Sequence, residues 1–421
     1  MFVGITNTPR DYAWGSRTAI AEVLGTEPSG APEAELWLGA HPGSPSRITD
    51  PESVGGATTV PEWISADPQT TLGPVSTGLR EGDPVHLPFL LKLLAADGPL
   101  SLQAHPTLER ARRGFSAENE AGVESDAPHR NYKDALHKPE LIYALSERFD
   151  ALCGFRAVEE ARAVFAALAD RDASDAAGSS PFSFVLDRLG DPGGLRSAFE
   201  AIMAGGTEVD AVVERTVAIA AASEAADSPC GAAADGDPLR RDLALVRRLA
   251  AAYPGDPGIV TALLLNYVSL SRGEALYLPA GNIHAYLSGL GVELMAASDN
   301  VLRGGLTPKH VDVAELLDVL DFRAVPVPYL HPHRPEEGVE VFRPEVPDFQ
   351  LVRVALDATT LQAGYRIAGP AIAICVSGQV TIAGSRTEAS VARGQAVYIT
   401  PDEAELQFIG EGELFLATTN A

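Results

Sequence analysis

The 421-residue sequence is short of cysteine, of basic residues and of long apolar runs. Its three cysteines, Cys153, Cys230 and Cys375, stand far apart and without metal-finger spacing. That excludes a disulfide framework and fits a reducing compartment. Lys and Arg number 32 against 57 Asp and Glu, a formal charge of −25. Such a balance excludes a broad nucleic-acid face and an anionic membrane as partners, while an anionic small molecule would need a local basic pocket. The most apolar stretch, LPFLLKLLAADGPLSL, is interrupted by Lys92, Asp97 and Pro99, too early for a membrane span. The opening MFVGITNTPRDYAWG lacks the basic segment and apolar core of a signal peptide. Also missing are a Gly-x-Gly-x-x-Gly fingerprint, a P-loop and a Gly-x-Ser-x-Gly elbow, which removes the common nucleotide and hydrolase loops. The expectation is a cytoplasmic monomer.

The length suffices for two or three domains, and an apolar content of 46% is that of an ordinary globular chain. Residues 1–110 alternate short β-like runs with Gly/Pro turns. The acidic, aperiodic 114–130 segment predicts an exposed loop. From 155 to about 252 the chain turns helical: Val158, Ala161, Phe165 and Leu168 share one face. Thr207 with Asp210 predicts an N-cap, 223–238 a flexible connector, and LRRDLALVRRLAAAY a further helix. Strands return after 260. GEALYLPAGNIHAYL and GQAVYITPDEAELQF align from Gly273 and Gly394, so that Tyr277 meets Tyr398 and His284 meets Glu405. One structural unit used twice is expected, with a histidine in the first copy where the second has an acid.

Polar groups mark where chemistry sits. In GPLSLQAHPTLER, Gln103 and His105 project from one face of a strand that Pro106 ends. Two polar groups aimed together need a shared partner: water, a ligand or a metal. Gly273, five residues, Pro279, one residue, Gly281, two residues and His284 form a pattern that resembles the second conserved motif of cupins, in which the histidine binds metal inside a small β-barrel. The first cupin motif is incomplete, since no carboxylate closely follows His105. Glu140, which follows a proline and opens an apolar strand, is placed to face into a barrel instead. The polar run Glu293, Asp299, Asn300, Arg303 and Lys309, with Gly304 and Gly305, reads from the residues alone as a solvated loop. Trp14 and Trp37, flanked by apolar residues, read as core.

The stretches YAWGSRTAI, AELWLGAHP, LPFLLKLL, LSLQAHP, NYKDALHKPEL, HAYLSG and ELMAASDNVLRGGLTPKHVDV span residues 12 to about 320. As a set they resemble the type I mannose-6-phosphate isomerase family of the cupin superfamily. Leu136 departs from the pattern, standing where the family tends to have Asn. The resemblance implies a mixed, mainly β fold of two cupin-like jelly rolls with an inserted α-helical subdomain. Residues 1–152 and 260–325 would form the zinc-bearing domain, 153–259 the helical insertion, and 326–421 a metal-free β domain. It implies one zinc ion held by Gln103, His105, Glu140 and His284. Arg303 would be the active-site cation, Glu293 the first candidate for proton transfer, and Lys138 or His137 the second. Ser101, Lys92, Lys309 and Asp299 would contact a small phosphorylated sugar. One carboxylate among four ligands leaves the site at +1, which preserves Lewis acidity. The implied reaction interconverts mannose 6-phosphate and fructose 6-phosphate through a cis-enediol, feeding GDP-mannose metabolism. Two other classes fit part of the pattern. An iron-dependent cupin oxygenase is opposed by Gln103 and by the cations around Arg303. A sugar-binding cupin without catalysis would leave the C2 proton of its ligand unexchanged.

Overall fold

The computed structural model describes residues 1–73, 85–173, 180–223 and 239–420. The connector expected at 223–238 lies outside these residues except for Ser223, and so does Cys230. The fold mixes strand and helix in near-equal measure, 32% and 30%, and its two large sheets are built from antiparallel pairs. No helix among the described residues is long and apolar enough to cross a membrane.

The first sheet is organised by one long strand, His284–Ala296. Its first half pairs with Gln103 and with the strand Arg148–Phe155. Its second half pairs with Phe89–Ala96 on one side and Glu140–Ala144 on the other. The change of partners falls where the register against Arg148–Phe155 slips, between Tyr286 and Ser288. Gly289 sits there at φ 117°, and a Cβ would meet the Arg148 carbonyl oxygen at 2.8 Å. The slip has a consequence for function. A one-residue irregularity reverses which side chains face inward. Tyr286 before it and Glu293 and Met295 after it therefore line the same cavity, despite opposite parity.

The second sheet holds the strands from His333 onward, but also Phe2–Thr6, which pairs with Ala396–Ile399, and Arg47–Ile48. The repeat expected from sequence is present in the backbone. Strands begin at 275 and 284 in one copy and at 396 and 405 in the other, a constant offset of 121 residues. Gly273 and Gly394 open both units in the left-handed region, at φ 97° and 82°. Glu405, the counterpart of His284, is exposed and pairs with Arg366 at 2.8 Å.

The described residues between Val158 and Thr261 are mainly helical. The expected face is buried: Ala161, Phe165 and Leu168 are inaccessible, and Val158 packs against the same core. Two local expectations are corrected. Residues 114–120 belong to the helix Leu108–Glu120 rather than to a loop. Only Ala111 of that helix is buried, and beyond the short stripe Leu108, Ala111 and Phe115 it carries little apolar period to read. It is held by polar contacts: Thr107 caps Arg110 N–H at 3.2 Å, Arg110 pairs with Glu315 at 2.6 Å, and Glu118 accepts from Asn131 N–H and Tyr132 N–H. Thr207 is not a cap either. It is the first residue of Thr207–Ala222, and the capping position belongs to Gly206 at φ 99°, a conformation Thr would adopt only with strain.

The helical layer meets the first sheet through Phe155, Phe199 and Phe322, whose ring centroids lie 5.1–5.8 Å apart. Phe199 is fully buried. Phe199→Ala is expected to lower unfolding stability by about 3–5 kcal/mol, read from denaturant melts.

Candidate active site

Three neighbouring strands bring the site together. Gln103 is in register with His284 on one side and with Arg303 on the other. His105 follows at the strand's end, and Glu140 opens Glu140–Ala144, whose partner in register is Met295. Residues 181 positions apart thus become adjacent through backbone pairing alone.

His105, Glu140 and His284 are buried, and their potential ligand atoms all lie within 4.8 Å of one another. The backbone fixes the tautomer of each imidazole. His105 Nδ1 donates to the Asn300 carbonyl oxygen at 2.7 Å, and His284 Nδ1 to the Asn282 carbonyl oxygen at 3.1 Å. A carbonyl only accepts, so each Nδ1 carries the proton and each Nε2 presents a lone pair. Those lone pairs face the two oxygens of Glu140, each at 3.2 Å. His105 Nε2 is buried with no hydrogen-bond partner despite that proximity, as expected of acceptor meeting acceptor. The Gln103 amide lies 3.3 Å from His284 Nε2, and turning it end for end presents its oxygen to the same space. Burial, with the Lys138 ammonium nearby, drives His105 down to about 4. Burial resists ionisation of Glu140, but the Lys138 ammonium holds its carboxyl well below the usual range. A neutral His105 beside an ionised Glu140 is the protonation state in which a divalent cation binds.

Above this cluster opens a cavity of about 470 Å³. Ser101, Lys92, Lys138, Glu293, Asp299, Arg303 and Lys309 all line it, with Gln103 and Glu140 at its floor. Lys138 Nζ lies 3.2 Å from Glu140 Oε1. Lys92 is only 5% exposed and sits between two carboxylates, 2.8 Å from Glu293 and 3.7 Å from Glu35. Its pKa is raised: burial opposes the charge, and Glu293 and Glu35 overcome it. Glu293 is pushed up by burial and by Glu140, against the pull of Lys92. Arg303 and Lys309 differ from the other cations. Burial lowers both, Arg303 lowers Lys309 further, and no carboxylate among the described residues offsets either effect. His137 is turned elsewhere, 3.0 Å from Asp348 and off the cavity wall.

Sequence reasoning missed several lining residues. Trp14 and Trp37 are walls of the cavity. Trp37 Nε1 donates to Glu35 Oε2 at 2.9 Å, and its ring lies under Lys92. Tyr286 approaches Glu140 Oε2 at 3.5 Å, and Tyr253 reaches over from the helical layer. Only Tyr286 carried a sequence signal, standing two residues after His284 on the same strand.

These features define a buried His/Glu cluster beneath a cation-rimmed cavity, a site suited to polarising an oxygen-rich anion. The family model for the catalytic domain of phosphomannose isomerase type I matches residues 2–158. Mannose-6-phosphate isomerase of Escherichia coli (strain K12) is 36% identical over 97% of both chains. The Bos taurus enzyme of the same name is 32% identical over 94% of this chain and 92% of its own. A mannose 6-phosphate isomerase crystallised with zinc and yttrium superposes with a TM-score of 0.83 at 31% identity, covering 100% of both chains. A variant phosphomannose isomerase from Salmonella typhimurium gives 0.84 at the same identity and coverage. The chain belongs to the type I phosphomannose isomerase family and is an isomerase.

Proposed function

We propose that this chain interconverts mannose 6-phosphate and fructose 6-phosphate with one zinc ion per chain. The observation that carries this reading is the cavity's charge arrangement. Two cations that no carboxylate among the described residues offsets, Arg303 and Lys309, overlook a buried His–Glu–His cluster in a protein of charge −25. A phosphorylated sugar supplies the matching anion, and family membership and the zinc-bound relative support substrate and metal.

Gln103, His105, Glu140 and His284 would hold the metal. When bound, zinc supplies Lewis acidity toward substrate oxygens. The chain's own groups then account for the proton movements. The open-chain sugar loses its C2 proton to Glu293, which returns a proton, partly exchanged with solvent, to C1 of the cis-enediol(ate), while the O2 hydroxyl proton passes to O1. Lys92 balances the charge of Glu293 and, at 2.8 Å, limits where that carboxylate can swing. Arg303 meets the negative charge that develops on the enediolate oxygens. Lys309 and Ser101 take the phosphate, Asp299 a substrate hydroxyl, and Lys138 stands as the alternative proton carrier. Remote binding of the phosphate fixes the reacting end.

In this reading both β units are cupin-like jelly rolls. Residues 1–152 and 260–325 carry the metal, 153–259 form the helical insertion, and 326–421 bind none. The enzyme works as a cytoplasmic monomer, and its product serves GDP-mannose formation.

The direct test is isomerisation of mannose 6-phosphate by the zinc-replete chain in deuterated water, with a chelator control. Turnover with label at the exchanged carbon is expected; binding without label would leave a sugar-binding protein only. His284→Ala should lose its zinc in a metal assay, and an unchanged stoichiometry would remove that ligand. Arg303→Ala should keep the zinc and lose about 10²–10³-fold in kcat. A base must be ionised to act, and Glu293 titrates above its ordinary range. The rate should therefore rise with pH across a limb above the usual carboxylate value of about 4.3. Glu293→Gln should abolish both the limb and most of the turnover.

A further inference from the structure

Asn300 is fully buried, and both its side chain and its backbone are committed. Its Oδ1 accepts from Lys133 N–H at 2.7 Å and Asp134 N–H at 3.3 Å. Its Nδ2 donates to the carbonyl oxygens of Asp134 at 2.9 Å and Leu136 at 2.8 Å. Because amide N–H groups face one end and carbonyls the other, the side chain has one permitted orientation. Its backbone N–H donates to Ser298 Oγ, and its backbone oxygen receives His105 Nδ1–H at 2.7 Å.

One residue thus touches both halves of the metal cluster. Through its carbonyl it sets the tautomer and tilt of His105. Through its side chain it clamps 133–136, the segment that runs directly into Lys138 and Glu140. We infer that Asn300 is a positioning residue that holds His105 and Glu140 in register with each other, so that metal affinity depends on its side-chain amide. The inference rests on the zinc reading above. It also gives Leu136 a role that does not depend on its side chain. That position contributes its main-chain oxygen to the clamp, accepting from Asn300 and from Ser298 Oγ at 3.3 Å, and the side chain is not used.

Asn300→Asp preserves shape but turns a carboxylate oxygen toward two carbonyls and toward Asp134 Oδ1, which now lies 3.2 Å from Nδ2. The full-length variant should fold, bind zinc about 10–100-fold more weakly in competition with a chromogenic chelator, and exchange the Lys133 and Asp134 amide hydrogens faster. A merely structural role would lower the melting temperature of the metal-free protein and leave the zinc affinity of the folded variant unmoved, which would overturn the inference. If Asn300→Asp does not fold, Ser298→Ala removes the hydroxyl that bridges Asn300 N–H and Asp134 Oδ1. It should weaken zinc in the same direction, and unchanged affinity there would overturn the inference equally. Failure of the wild-type chain to take up zinc would instead sink the metal reading itself.

Discussion

Two imidazole lone pairs aimed at one buried carboxylate are the constraint around which this molecule is arranged. Acceptors facing acceptors repel, and the burial of a charged carboxylate adds to the cost. Lys138 meets one oxygen of Glu140, but it does not give the nitrogen lone pairs a donor. The arrangement persists because the backbone over-determines it. Carbonyls of Asn282 and Asn300 fix the two protons on the outer nitrogens. Strand register brings Gln103 against His284 and Arg303. The fold therefore holds a geometry that favours a divalent ion over protons, the latter because His105 resists protonation.

The same economy of charge governs the cavity. A net −25 makes the average surface inhospitable to an anion, yet fields between exposed charges fade beyond a Debye length of ~8 Å in physiological salt. What an incoming anion meets near the site is Arg303 and Lys309, neither of them offset by a carboxylate among the described residues. Lys92 is of the opposite kind. Enclosed by Glu35 and Glu293, with Trp37 beneath it, it belongs to a neutralised network that sets the ionisation of Glu293.

Much of the site was legible in the sequence because metal and substrate chemistry constrain residue types at fixed spacing. The Gly–Pro–Gly frame before His284 and the shared strand face of Gln103 and His105 are local patterns. The repeat was legible because its turn glycines and strand lengths recur at one offset. The helix Leu108–Glu120 was not, since its apolar stripe is limited to Leu108, Ala111 and Phe115 and the acidic residues after it look like those of a loop. The roles of Trp14 and Trp37 were hidden because apolar neighbours look the same around a core residue and a cavity wall. Tyr253 reaches the cavity only through tertiary packing. Asn300 escaped for a different reason: half of its work is done by its main chain, which any residue could supply on paper. His137, adjacent in sequence to Lys138, was drawn away by Asp348.

The first strand, Phe2–Thr6, finds its partner in Ala396–Ile399. During synthesis at about 5–20 residues per second, that segment waits roughly 20–80 s for its mate to be made. The second sheet is consequently completed only after both β units have been made, and the two are joined by this pairing as well as by the segment that links them. Without Ala396–Ile399, Phe2–Thr6 would keep only its short pairing with Arg47–Ile48 and present an open edge, so the two units depend on each other to fold.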